Sequence, residues 1–164
     1  MKKIILLFVF TVSISCAQKS PREQANGTID GINISVDYGS PSVKGRTIWG
    51  GLEQYGNVWR AGANGNTTVS FDKDVLIGSK KLKAGKYGFF IMPNENTDWV
   101  IIFNSKNDSW GAYSYNKNED ILRLKLLPSF VEDTQEALKY SIDESSIGFA
   151  WGKARLLIPI KSVQ

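Results

Sequence analysis

Histidine is absent from this chain of 164 residues, and cysteine occurs once, at Cys16. Without histidine the commonest general base and the commonest metal ligand are missing. Ser-His-Asp and Cys-His nucleophile arrangements are excluded, and so is a zinc site built from His and Cys. A single cysteine excludes an internal disulfide, and a domain of this length buries enough surface to fold without one. No metal and no cofactor is expected. Helical periodicity is nearly absent as well. The one stretch with suitable spacing, Leu52, Tyr55 and Trp59, is interrupted by Gly50, Gly51 and Gly56.

The N-terminus is the most readable segment that is present. Lys2 and Lys3 precede an apolar run from Ile4 to Val12, and small residues follow at Ser13, Ser15 and Ala17. The run is too short for a membrane span of ~20 residues and has the form of a signal peptide over residues 1–17. Export to the periplasm or the outer membrane is therefore expected. Cleavage after Ala17 would give a soluble mature form. Ser13-Ile14-Ser15-Cys16 also matches a loose lipobox, in which case Cys16 carries lipid and supplies the only contact with a membrane. Residues 18–27 are polar and contain Pro21, and are expected to form a flexible leader ahead of a domain at 28–163.

The net charge of +4 loses Lys2 and Lys3 with the signal peptide, and the remaining basic residues are scattered. Lys80, Lys81, Lys83 and Lys86 form the only cluster, which reads as a solvated hairpin end; nucleic acid is not an expected partner.

From Thr28 onward the pattern is that of strands. Ile32, Ile34, Val36 and Tyr38 alternate with polar residues, as do Leu122, Leu124 and Leu126, and Leu138, Tyr140 and Ile142. Tyr87 to Met92 and Trp99 to Phe103 are apolar on both faces and suit central strands; Phe89, Trp99, Phe103 and Trp151 are expected in the core. Gly78-Ser79 suits a two-residue hairpin turn and Gly152-Lys153 a second turn, while Pro159 suggests an edge or a bulge. About nine short strands predict an all-β, antiparallel two-sheet sandwich, with a barrel as the alternative.

One segment breaks the strand pattern. Pro41 to Asn64 is Gly-rich, holds Trp49, Tyr55 and Trp59, and carries Lys44, Arg46 and Arg60. A loop this long in a compact β domain is often functional. Its large rings, Trp49 and Trp59, are expected to anchor it against the sandwich, with Arg60 and Asn64 holding its backbone by hydrogen bonds. Lys44, Arg46 and Tyr55 would then stand at a rim where a ligand binds, joined by Tyr113 from the segment Trp110–Tyr115. No catalytic residue is assigned. Asp72, Asp74 and Glu119-Asp120 read as turn residues, and Asn104, Asn107 and Asp108 as a polar loop rather than a calcium site.

The run SPSVKGRTIWGGL, the run YGNVWRAGAN, the LKAGKYGFFIMP hairpin, Trp110-Gly111-Ala112-Tyr113 with Tyr115, and Asp120-Ile121-Leu122-Arg123 together resemble the family of unknown function DUF2911. The resemblance covers roughly Ile29 to Ile160. It implies an exported or lipid-anchored β-sandwich of Bacteroidetes-type bacteria with no established activity. Family members often carry Glu after the G-A-N triplet, where this chain has Gly65. The function expected is a non-catalytic binding or scaffold domain for a carbohydrate-like or other small envelope ligand. The alternatives are a carboxylate-dependent hydrolase and a structural envelope protein with protein partners only.

Overall fold

The computed structural model describes residues 19–163, so the signal peptide expected over residues 1–17, with Cys16, lies outside the described residues. Ten strands follow in order: β1 Arg22–Ile29, β2 Ile32–Gly39, β3 Thr67–Phe71, β4 Val75–Ile77, β5 Lys80–Leu82, β6 Gly85–Met92, β7 Trp99–Asn104, β8 Asp120–Leu126, β9 Ser129–Ile142 and β10 Ser146–Ser162. All pairings are antiparallel. One sheet has six strands in the order β1-β2-β3-β6-β7-β8; the other has four in the order β5-β4-β10-β9. The architecture is an open two-sheet sandwich, not a barrel.

The alternating residues Ile32, Ile34, Val36 and Tyr38 point inward and are buried, as are Leu138, Tyr140, Ile147, Phe149 and Trp151 from the opposing sheet. This is the interdigitation that two apolar sheet faces require. β7 is buried at every position. Its inner face joins the main core, whereas Ile102 and Val100 form a second cluster outside the sheet with Phe90, covered by Val58, Ala112 and Tyr115. The runs read as apolar on both faces are thus covered on both.

Several expectations are corrected. Residues 22–27, expected in a flexible leader, form the first part of β1, which pairs with β2 along its whole length from Arg22↔Gly39 to Ile29↔Ile32. A polar edge strand lacks the apolar alternation by which strands are recognised, because solvent reaches much of it. Gly27 lets β9 come close: a Cβ there would sit 2.6 Å from that of Ile142. Gly152 does not turn the chain. It lies within β10 at φ +56°, at a register shift opposite Gln135, which is a bulge. Two expected short strands therefore merge into one of 17 residues. β10 is not an edge either, since it lies between β4 and β9. Pro159 falls after the β9 register ends at Arg155 and before the β4 register begins at Ile160, so its missing N–H is lost to neither ladder.

Candidate functional site

The segment from Pro41 to Asn64 is ordered by a succession of turns. Its first turn is Val43–Arg46, closed by the Arg46 N–H donating to the Val43 carbonyl at 3.0 Å. Both central residues have positive φ, Lys44 at 49° and Gly45 at 67°. A non-glycine residue in this region is strained, and such strain persists where the surroundings impose it. Here β9 imposes it: the Val43 N–H donates to the Glu136 carbonyl at 2.7 Å and the Lys44 N–H to Glu136 Oε1 at 2.9 Å. The Arg46 guanidinium is fixed by donating to the carbonyls of Val43 and Ser42.

That turn builds one wall of a cleft of about 380 Å3 lined by Lys19, Ser20, Ser40, Ser42, Lys44 and Arg46. Three cations and three hydroxyl-bearing residues face the space, and no carboxylate lines it. The Ser40 hydroxyl is already used, donating to the Leu138 carbonyl at 2.7 Å. Lys44 and Arg46, chosen from sequence, thus meet in one place. Tyr55 and Tyr113 do not join them. The Tyr55 ring lies over Gly50, where a Cβ would be 2.7 Å from Cε2, and Tyr113 is 94% exposed beside Gly111. Lys19, Ser20, Ser40 and Ser42 were not legible as site residues. Lys19 and Ser20 belong to a stretch with no pattern, and only the pairing of β1 with β2 brings them beside Ser40.

Trp49 and Trp59 both enter the core. Trp59 is buried and adds a rung to β6 beyond the end of β3, its N–H and carbonyl pairing with those of Ile91 at 2.8 and 2.9 Å. Its indole N–H donates to the Gly62 carbonyl at 3.0 Å. Half-buried Trp49 packs against Trp99 with centroids 4.4 Å apart and against Trp151 at 5.7 Å. The Ala61 carbonyl accepts from Tyr140 at 2.7 Å and from Thr67 at 3.1 Å. Arg60, expected to clamp loop carbonyls, does not: its Nε is buried without a hydrogen-bond partner among the described residues. Its guanidinium instead approaches Gly111, where a Cβ would lie 3.8 Å from Nη1. Asn64 holds the N-terminal segment, donating from Nδ2 to the Ser20 carbonyl at 3.1 Å, while its own carbonyl accepts from the Gly111 N–H.

The carboxylates do not converge, and no group of three or more His, Cys, Asp or Glu is suited to a metal among the described residues. Asp72 accepts from the backbone and side chain of Asn33, and Asp74 caps the Ala84 N–H beside Lys81. Asn104 is buried and turns its amide to Asp120 rather than to a cation site. Asp120, read as a turn residue, is a nearly buried hub: Oδ2 accepts from Tyr115 at 2.6 Å and from Arg123 at 2.6 Å. Burial, reinforced by the Asp120 carboxylate, pushes the Tyr115 hydroxyl up to about 12. Glu53 stands apart. Burial pushes its carboxyl up to about 7 against the opposing pull of Arg60 and Arg46.

No curated protein and no solved structure shows a significant match to the chain. A family model matches residues 20–160, nearly the whole of the described structure, and the chain belongs to that family, DUF2911, described as protein of unknown function.

Proposed function

We propose that this protein is a non-catalytic binding domain of the bacterial envelope, exported by its N-terminal signal, that holds a small or carbohydrate-like ligand bearing negative charge. The observation that carries this reading is the cleft at Lys19, Lys44 and Arg46. Its volume, about 380 Å3, falls among small-ligand sites. The three cations outnumber the one carboxylate bonded to the cleft's wall, Glu136 on the Lys44 N–H, and this excess of positive charge favours a carboxylate, sulfate or phosphate. Preorganisation supports it too, since the Val43–Arg46 turn is fixed to β9 before any ligand arrives. The hydrolase alternative is weakened because Asp72, Asp74 and Asp120 are engaged in turns and ion pairs rather than aimed together.

Calorimetric titration of the mature domain with hexagalacturonate and with neutral cellohexaose tests the reading. The acidic oligomer should bind at least tenfold more tightly, and Lys44→Ala with Arg46→Ala should remove most of that difference. Equal binding of the two oligomers, or indifference to the double substitution, would overturn it.

A further inference from the structure

Trp110 is unlike the other tryptophans that are described. Its side chain is 62% exposed, whereas Trp59, Trp99 and Trp151 are exposed by 3% or less and Trp49 packs against the core. A large indole left in water forgoes the burial that makes the residue useful in a core. The ring is nevertheless carried on fixed backbone. Gly65 and Trp110 form a bridge, the Gly111 N–H donates to the Asn64 carbonyl at 3.1 Å, and the Asn66 N–H donates to the Ser109 carbonyl at 2.9 Å.

The ring borders a cleft of about 270 Å3 that Asn66, Lys86, Asn107 and Asp108 also line. Asn66, which lines the same cleft, is 4% exposed, and its Oδ1 is buried without a hydrogen-bond partner among the described residues. Lys19 joins this cleft to the cationic one. It lines the latter, and its ammonium lies 5.0 Å from the centroid of the Trp110 ring. Asn64 ties the same region together, bonding Ser20 through its side chain and Gly111 through its carbonyl.

We propose that Trp110 is the stacking platform of a sugar subsite, and that the ligand of the two adjoining clefts is an acidic oligosaccharide. This inference rests on the reading of the Lys19–Lys44–Arg46 cleft as a ligand site and adds the chemistry of what enters it. A pyranose ring offers an apolar C–H face that matches an indole, and hydroxyls at its edge that can donate to the exposed Asp108 carboxylate, which also pairs with Lys106, beside Asn107, whose amide donates to the Lys86 carbonyl. The Lys19 ammonium lies over the indole, so a stacking pyranose must displace it, and a carboxylate or sulfate on that ring then meets it at the ring's edge. A free inorganic anion would use the cationic cleft alone and leave the ring untouched.

Tryptophan fluorescence gives a readout specific to this ring, because acrylamide quenches exposed indoles and spares buried ones. Titration with hexagalacturonate should protect the quenchable fraction, and Trp110→Phe should abolish that fraction before ligand is added. Trp110→Ala should weaken hexagalacturonate binding at least tenfold while leaving the dependence of affinity on salt unchanged. Lys44→Ala should do the reverse, flattening the salt dependence and leaving ring protection intact at saturation. Binding that requires Lys44 and Arg46 but neither protects nor requires Trp110 would overturn the inference and leave the cationic cleft standing. Absence of any binding by hexagalacturonate would overturn both.

Discussion

Trp59 lies stacked on Trp151, with ring centroids 5.3 Å apart and planes inclined by 20°. One ring comes from the long connecting segment and the other from the middle of β10, so the segment is fastened to the sandwich through its core.

Removing that ring should therefore act as a core truncation. Trp59→Ala is expected to cost about 3–5 kcal/mol in chemical denaturation, since it opens a cavity beneath the segment. Tyr113→Ala removes a ring that is 94% exposed and should change stability by less than about 0.5 kcal/mol. Similar small losses in both variants would show that Trp59 fastens nothing.

Two glycines make opposite predictions. A Cβ on Gly39 would stand 2.1 Å from the Ala63 carbonyl oxygen, a contact with backbone that side-chain rotation cannot relieve. Gly39→Ala should lose about 2–4 kcal/mol. At Gly65 a Cβ meets nothing nearer than Arg22 Nη1 at 4.0 Å. Gly65→Glu should thus be tolerated within about 1 kcal/mol, its carboxylate lying toward a guanidinium. Equal melting shifts for the two variants would contradict this account.

Asp120 holds Tyr115, Arg123 and Asn104 together at the start of β8. Asp120→Asn should cost about 2–4 kcal/mol, because Arg123 is left partly buried without its counter-ion. It should also bring the Tyr115 hydroxyl back down from about 12 by removing the carboxylate. Ultraviolet titration of the phenol checks the second effect separately from unfolding.

Glu53 predicts a pH dependence. Its carboxyl moves from an ordinary 4.5 to about 7 in the folded protein, so between these values the folded state keeps a proton the unfolded chain has lost. This group's contribution is most favourable below the unfolded value, declines as pH rises through the window, and is constant above it. The decline is of the order of 1–2 kcal/mol once solvent around a half-buried group is considered. Glu53→Gln should flatten the stability profile from pH 5 to pH 7. A profile as steep as that of the wild type would show that another group titrates.

The strands with an inner face were legible because burial imposes a period of two on Ile32 to Tyr38 and on Leu138 to Ile142. The long segment was legible as a break in that period. β1 was not, since solvent reaches most of its residues before Ile29 and its place follows from partners in β2. Gly152 carried a turn signal, yet a bulge uses the same positive φ without reversing the chain. At the candidate site, Lys44 and Arg46 were visible as charges in a Gly-rich run. Lys19 and Ser20 reach the site only through contacts distant in the chain, such as the Ser40 N–H on the Pro21 carbonyl, which no local pattern encodes. Glu53 was overlooked for the same reason, because its burial is a property of the folded segment.

Processing makes an independent prediction. Protein recovered from its native envelope should begin at Cys16 with lipid or at Gln18 without it, and intact mass distinguishes the two. Retention of Met1 to Ser15 would contradict export.

The most direct test of the central claim is backbone amide chemical-shift mapping of the mature domain titrated with hexagalacturonate. The shifts should concentrate on residues 19–22 and 40–46, the two walls of the cationic cleft, and should extend to 64–66 and 109–111 around Trp110. Shifts confined to the outer face of β9 and β10, or no shifts at millimolar oligomer, would contradict the account.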